Sequence, residues 1–226
     1  MPNPAPPLPI RVASPVIGDS EIAAVTRVLR TGLLAQGREV SELERRFAAV
    51  AGTASAVAVS SGTAALHTAI AALGIGPGDE VITTPFTFIA TANAIKMCGA
   101  IVRFADIDPA TFNLDPASVE NRIGPNTKAI VAVGLYGQPY DADAIAAVAR
   151  RSSLRVVEDA AQSVGATFNG RPSGSLGDVA CFSLYATKNI MCGEGGVITT
   201  DDSEIDQRAR LFRQHGMRGR YDYEGL

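Results

Sequence analysis

Three short segments hold residue types and spacings that could do chemistry. The first is Ser183-Leu184-Tyr185-Ala186-Thr187-Lys188-Asn189, followed by Gly193-Glu194-Gly195-Gly196. A lysine flanked by apolar residues and glycines is expected to be withdrawn from water, which disfavours its charged form and yields an amine nucleophile. A solvated surface lysine is the ordinary alternative. The second is Val156-Val157-Glu158-Asp159-Ala160-Ala161-Gln162, where two acids and a glutamine end an apolar run. Acids at strand C-termini of an open α/β sheet fall where ligands bind. Glu158 reads as a solvated strand end, whereas small Ala160 and Ala161 after Asp159 leave room for a flat ligand. The third is Ser60-Ser61-Gly62-Thr63-Ala64, where an apolar strand turns into a helix. Free backbone N–H groups and the helix dipole make such a junction an anion site, and Gly62 allows a phosphate to approach closely. A serine or threonine cap that starts the helix is the competing reading.

The elements that must position these segments follow from periodicity. Short β-rich runs alternate with alanine-rich helical stretches, the rhythm of βαβ units and a largely parallel sheet. Strands are expected over Ala56–Ser61, Glu80–Phe86, Ile101–Ile107, Ala129–Tyr136, Arg155–Ala161, Asp178–Tyr185 and Gly195–Asp201. Several are apolar on successive residues, as strands covered on both faces should be. Ala65, Leu66, Ala69, Ile70 and Leu73 form one face of a helix over Thr63–Leu73, stopped by the Gly74–Gly78 segment. Gly165–Gly177 offers turn chemistry in place of a long crossover, so at least one connection should be non-parallel. Asp202–Arg213 opens a further helix. The expected fold class is thus α/β, a seven-stranded, mostly parallel sheet flanked by helices.

The 226 residues, 46% hydrophobic and 19% charged, can bury a substantial core in one large domain. A net charge of -3 with dispersed Lys and Arg offers no basic field for nucleic acid. Cys98, Cys181 and Cys192 are too few and too far apart for a disulfide framework, and only His67 and His215 could help them bind metal. Three thiols fit a reducing cytosol, so a cytoplasmic location is expected. Prolines at 2, 4, 6, 7 and 9 suggest a proline-rich arm over residues 1–15 rather than a signal peptide, and no membrane span is expected. Residues 16–226 form the expected large domain, ending without a further packed element, as if cut short before a small C-terminal domain. Gly74-Ile75-Gly76-Pro77-Gly78 precedes a strand, whereas a dinucleotide loop follows one. Neither a Walker A sequence nor a Gly-x-Ser-x-Gly elbow is present.

In order along the chain, Ser61-Gly62-Thr63-Ala64-Ala65-Leu66, Gly76 to Pro85, Thr87-Phe88, Glu158-Asp159-Ala160-Ala161-Gln162, Phe182-Ser183, Thr187-Lys188-Asn189 and Glu194-Gly195-Gly196 resemble the DegT/DnrJ/EryC1/StrS sugar aminotransferases. This family is a branch of the aspartate-aminotransferase fold, the type I pyridoxal-phosphate enzymes. The resemblance implies that Lys188 carries pyridoxal 5'-phosphate as a Schiff base and moves a proton between substrate carbon and cofactor. It implies that Asp159 pairs with the pyridinium nitrogen and Gln162 contacts the ring oxygen. Ser183 with Gly62, Thr63 and Ala64 would hold the phosphate. Phe88 would stack on the ring, with a core position as its alternative. The implied activity transfers an amino group from glutamate or glutamine to a nucleotide-linked keto sugar, in polysaccharide or antibiotic sugar biosynthesis, by a homodimer whose partner subunit adds an asparagine at the phosphate. Gly134 stands where the family often has histidine, two residues before Tyr136-Gly137. Two alternatives remain: a related sugar dehydratase, in which histidine replaces the lysine, and a truncated, catalytically silent cofactor-binding or dimer-forming module.

Overall fold

The computed structural model describes residues 13–219 and 222–223. Residues 1–12 of the expected N-terminal arm, with the prolines at 2, 4, 6, 7 and 9, and most of the final stretch 221–226 lie outside these residues; Ala13–Pro15 carry no regular structure. One seven-stranded sheet organises the chain, from β1 (Ser55–Val59), β2 (Glu80–Thr83), β3 (Ile101–Phe104), β4 (Thr127–Val133), β5 (Arg155–Asp159), β6 (Val179–Ser183) and β7 (Gly196–Thr200). All seven expected runs are strands. Their order is β1-β7-β6-β5-β4-β2-β3. From β6 through β3 every pairing is parallel, and β7 is antiparallel to both β6 and β1.

The non-parallel connection therefore exists, but it joins β6 to β7 rather than crossing Gly165–Gly177. That glycine-rich loop returns from β5 to a parallel β6 without a helix, stiffened by a small hairpin pairing Thr167–Phe168 with Arg171–Pro172.

Seven helices accompany the sheet among the described residues: α1 (Asp19–Thr31), α2 (Arg38–Ala51), α3 (Gly62–Ala72), α4 (Ala90–Met97), α5 (Pro116–Glu120), α6 (Ala142–Arg151) and α7 (Ser203–Arg213). On one sheet face Val57, Val81, Val131, Val157, Cys181 and Ile198 pack with Leu66, Ile70 and Ile95 of α3 and α4. On the other, Ile82, Ile130 and Val156 pack with Ile145 and Val148 of α6. The helix α3 is enclosed beyond its expected stripe, since Thr68 and Ala72 are buried too. Its many alanines allow close approach to the sheet, α4 and α7. Removing a buried branched side chain such as Ile70 there should cost about 2–5 kcal/mol.

Candidate active site

Strand alternation decides which side chains share a face. In β5, Val157 packs on the α3 side, so Asp159, two residues on, belongs to that face, and Val156 and Glu158 belong to the other. In β6, Val179 and Cys181 pack on the α3 side and bring Ser183 with them. Asp159 and Ser183 thus end adjacent parallel strands on the face where α3 begins.

At the start of α3, Ser61 is the N-cap, and its hydroxyl accepts from the Ala64 N–H at 3.0 Å. The cap and anion readings coexist. The Ala64 amide is committed to the cap, while the N–H groups of Gly62 and Thr63 have no acceptor among the described residues. Gly62 is required by packing, because a Cβ there would lie 2.7 Å from Ser183 Cβ and 3.1 Å from its Oγ. This contact sets the Ser183 hydroxyl against the helix N-terminus. Gly196 backs the same corner, since its Cβ would collide with the Ser61 carbonyl.

Asp159 is buried, 5% exposed, and its Oδ2 accepts from Thr91 Oγ1 at 2.8 Å while Oδ1 accepts from the Ala161 N–H at 3.2 Å. Burial raises its carboxyl above the usual range, opposed by these two bonds and by the attraction of Lys188. Thr91 has no place in the sequence reading; Thr87, in the bend that leads into α4, brings its hydroxyl within 3.1 Å of that of Thr91. Gln162 is half-buried, and its Oε1 accepts from the Tyr136 N–H at 2.8 Å. That donor fixes the amide orientation and leaves Nε2 free among the described residues to donate to a ligand oxygen. Tyr136 holds left-handed backbone, φ 55°, which is rare for a bulky residue and marks a turn shaped around this contact. Phe88 is 70% exposed and so is not core. The absent histidine has a packing explanation: a Cβ on Gly134 would lie 2.6 Å from Ser163 Oγ.

Two expectations are corrected. Lys188 is half-buried rather than buried, because it lies in a turn beyond β6 whose neighbours Thr187, Asn189 and Ile190 are exposed. It is still the least exposed of the chain's three lysines, Lys96 and Lys128 both being exposed. Glu158 is no solvated strand end. It is 0% exposed and accepts from Ser173 Oγ at 2.5 Å, the Gly174 N–H at 2.9 Å and the Leu176 N–H at 3.4 Å. Its carboxylate fastens the β5–β6 loop, and alternation points it away from the candidate site.

The chemistry of these groups fits pyridoxal phosphate: two open amides and a hydroxyl for an anion, a buried carboxylate for a ring nitrogen, a free amide donor for a ring oxygen, and an amine. Among the described residues no group of three or more His, Cys, Asp or Glu could hold a metal ion, and no helix is long and apolar enough to cross a membrane.

Residues 15–225 match the DegT/DnrJ/EryC1/StrS aminotransferase family. The chain is 52% identical to the spore coat polysaccharide biosynthesis protein SpsC of Bacillus subtilis over 203 residues, 90% of this chain and 52% of SpsC. It is 49% identical to GDP-perosamine synthase of Caulobacter vibrioides over 209 residues, 92% of this chain and 56% of that protein. The crystal structure of ntda from Bacillus subtilis with bound cofactor PMP superposes with a TM-score of 0.86 at 34% identity, covering 93% of this chain and 49% of the other. The chain thus spans about half the length of the curated relatives it matches. The family is pyridoxal-phosphate-dependent. On its fold, its ordered motifs and a match over nearly all its length, the chain belongs to the DegT/DnrJ/EryC1/StrS aminotransferase family.

Proposed function

We propose that the chain is the cofactor-binding large domain of a pyridoxal-phosphate-dependent aminotransferase that moves an amino group from glutamate or glutamine onto a nucleotide-linked keto sugar. The observation that carries the reading is the meeting, at the C-terminal ends of the interior strands β5 and β6, of an open helix N-terminus, the Ser183 hydroxyl, buried Asp159 and Lys188. When bound, the cofactor supplies an electron sink for a substrate carbanion. The Gly62 and Thr63 amides and Ser183 bind its phosphate, with the Ala64 amide available only if Ser61 turns away. Asp159 holds the proton at the ring nitrogen, Gln162 Nε2 donates to the ring oxygen, and Phe88 covers the ring against water. Lys188 carries the cofactor and moves the proton at the reacting carbon.

Relatives such as GDP-perosamine synthase support the nucleotide-sugar part of the reading. A homodimer is part of it as well: α1 has no buried residue, and its Ile22, Val25 and Leu29 stand 57%, 60% and 59% exposed on one stripe. Three free cysteines support a reducing compartment. The test is Lys188→Ala. Borohydride should trap pyridoxal phosphate covalently on the parent chain and not on the variant. A trapped adduct at Lys96 or Lys128 would overturn the assignment. A screen of keto-sugar nucleotides with glutamate and glutamine, on a version extended to the relatives' length, then identifies the substrate.

A further inference from the structure

Among the described residues, Thr91 is the one side chain that hydrogen-bonds the Asp159 carboxylate. It comes from α4, and both residues are buried, Thr91 at 0% exposed. The Thr91 hydroxyl reaches three oxygens: Asp159 Oδ2 at 2.8 Å, Thr87 Oγ1 at 3.1 Å and the Phe88 carbonyl at 3.2 Å. It has one proton to give. The charged acceptor at the shortest distance takes it, because charge-assisted hydrogen bonds are the stronger ones. The Thr87 hydroxyl must then donate to Thr91 Oγ1, which makes a directed chain from Thr87 through Thr91 to the carboxylate. A purely structural threonine would not need this arrangement, since the Phe88 carbonyl one turn back already satisfies a buried hydroxyl.

Resting on the cofactor reading above, we propose that Thr91 is a positioning residue for Asp159. It commits Oδ2 and holds the carboxylate's rotation, so that the remaining acceptor sites stay available to the cofactor's ring nitrogen. The same turn holds Phe88, so the Thr87-Phe88-x-x-Thr91 segment fastens the residue that covers the ring to the residue that pairs with its nitrogen. The carboxylate has two oxygens and a single side-chain donor. Without Thr91, the one hydrogen bond left to resist its rotation among the described residues is the long one from Ala161, and its charge loses its shortest hydrogen bond.

The test uses the chain loaded with pyridoxal phosphate isotopically labelled at the ring nitrogen and read by nitrogen NMR at neutral pH. The parent should show a protonated ring nitrogen. Thr91→Val keeps the shape and removes the hydroxyl. It should shift the proton balance from nitrogen toward carboxylate about tenfold, the lower end for a lost hydrogen bond to a charged group. Thr91→Ser should restore the parental signal. A folded Thr91→Val with an unchanged nitrogen signal overturns the proposal. Where Thr91→Val does not fold by circular dichroism, half-buried Thr87→Val carries the test: a smaller shift in the same direction supports the relay, and none refutes it. Failure of the parent to bind labelled cofactor overturns the cofactor reading itself. A bound but unprotonated nitrogen in the parent overturns the part played by Asp159, and this proposal with it, and leaves cofactor binding itself standing.

Discussion

Gly62→Ala tests whether the corner between α3 and β6 is built to close tolerance. No left-handed backbone constrains Gly62, so alanine is conformationally allowed, and on an open helix it would be favoured by up to about 1 kcal/mol. Here the new Cβ would sit 2.7 Å from Ser183 Cβ and 3.2 Å from Ser183 Cα, whereas ordinary contact begins at 3.4 Å. Helix and strand must therefore part by 3.4 − 2.7 = 0.7 Å. Neither can yield by swinging a long side chain. Ser183 is paired to Gly196 in the β6–β7 ladder, and Gly196 is itself pressed against Ser61. Overpacking of this kind costs about 1–3 kcal/mol, so after the helix preference of about 1 kcal/mol a net loss of about 0–2 kcal/mol is expected in urea unfolding of the cofactor-free chain. Moving Ser183 off the helix N-terminus should also lose one charge-assisted bond to phosphate, weakening pyridoxal phosphate about tenfold to a hundredfold in an absorbance titration. An alanine variant more stable than the parent, with unchanged affinity, would refute both the contact and its link to the phosphate.

Phe88→Ala should leave the cofactor-free chain within about 0.5 kcal/mol of the parent, because the side chain is 70% exposed, while pyridoxal phosphate binds more weakly. A large loss of stability with normal affinity would return Phe88 to a packing role. For Glu158, burial is the main influence and raises its carboxyl above the usual range, opposed by bonds from Ser173, Gly174 and Leu176. The unfolded chain therefore ionises this group first. Its contribution is complete below the ordinary carboxylate range and is lost as pH rises through the raised folded value. Glutamine does not ionise, so the stability difference between Glu158→Gln and the parent should move toward the variant as pH rises. A difference that is flat or runs the other way would sink this account.

Much of the site is legible in local pattern. Alternation along Val156–Asp159 and Val179–Ser183 assigns Asp159 and Ser183 to one face, and an apolar strand running into Ser61-Gly62-Thr63 announces a capped helix N-terminus. Such signals survive in sequence because they depend on backbone geometry within a few residues. Other features rest on which element lies beside which. Alternation sets Glu158 on the opposite face from Asp159, but only the β5–β6 loop folding back over that face turns it from a solvated end into a buried anchor. The glycine-rich loop carries the chain from β5 to a parallel β6 without a helix, so the antiparallel strand is β7, reached from β6 by the following segment, which run lengths alone do not reveal. Thr91 meets Asp159 across 68 residues. No local periodicity specifies such a contact: it exists because packing brings α4 over the C-terminal end of β5, and burial there leaves a carboxylate whose nearest side-chain donor is that hydroxyl.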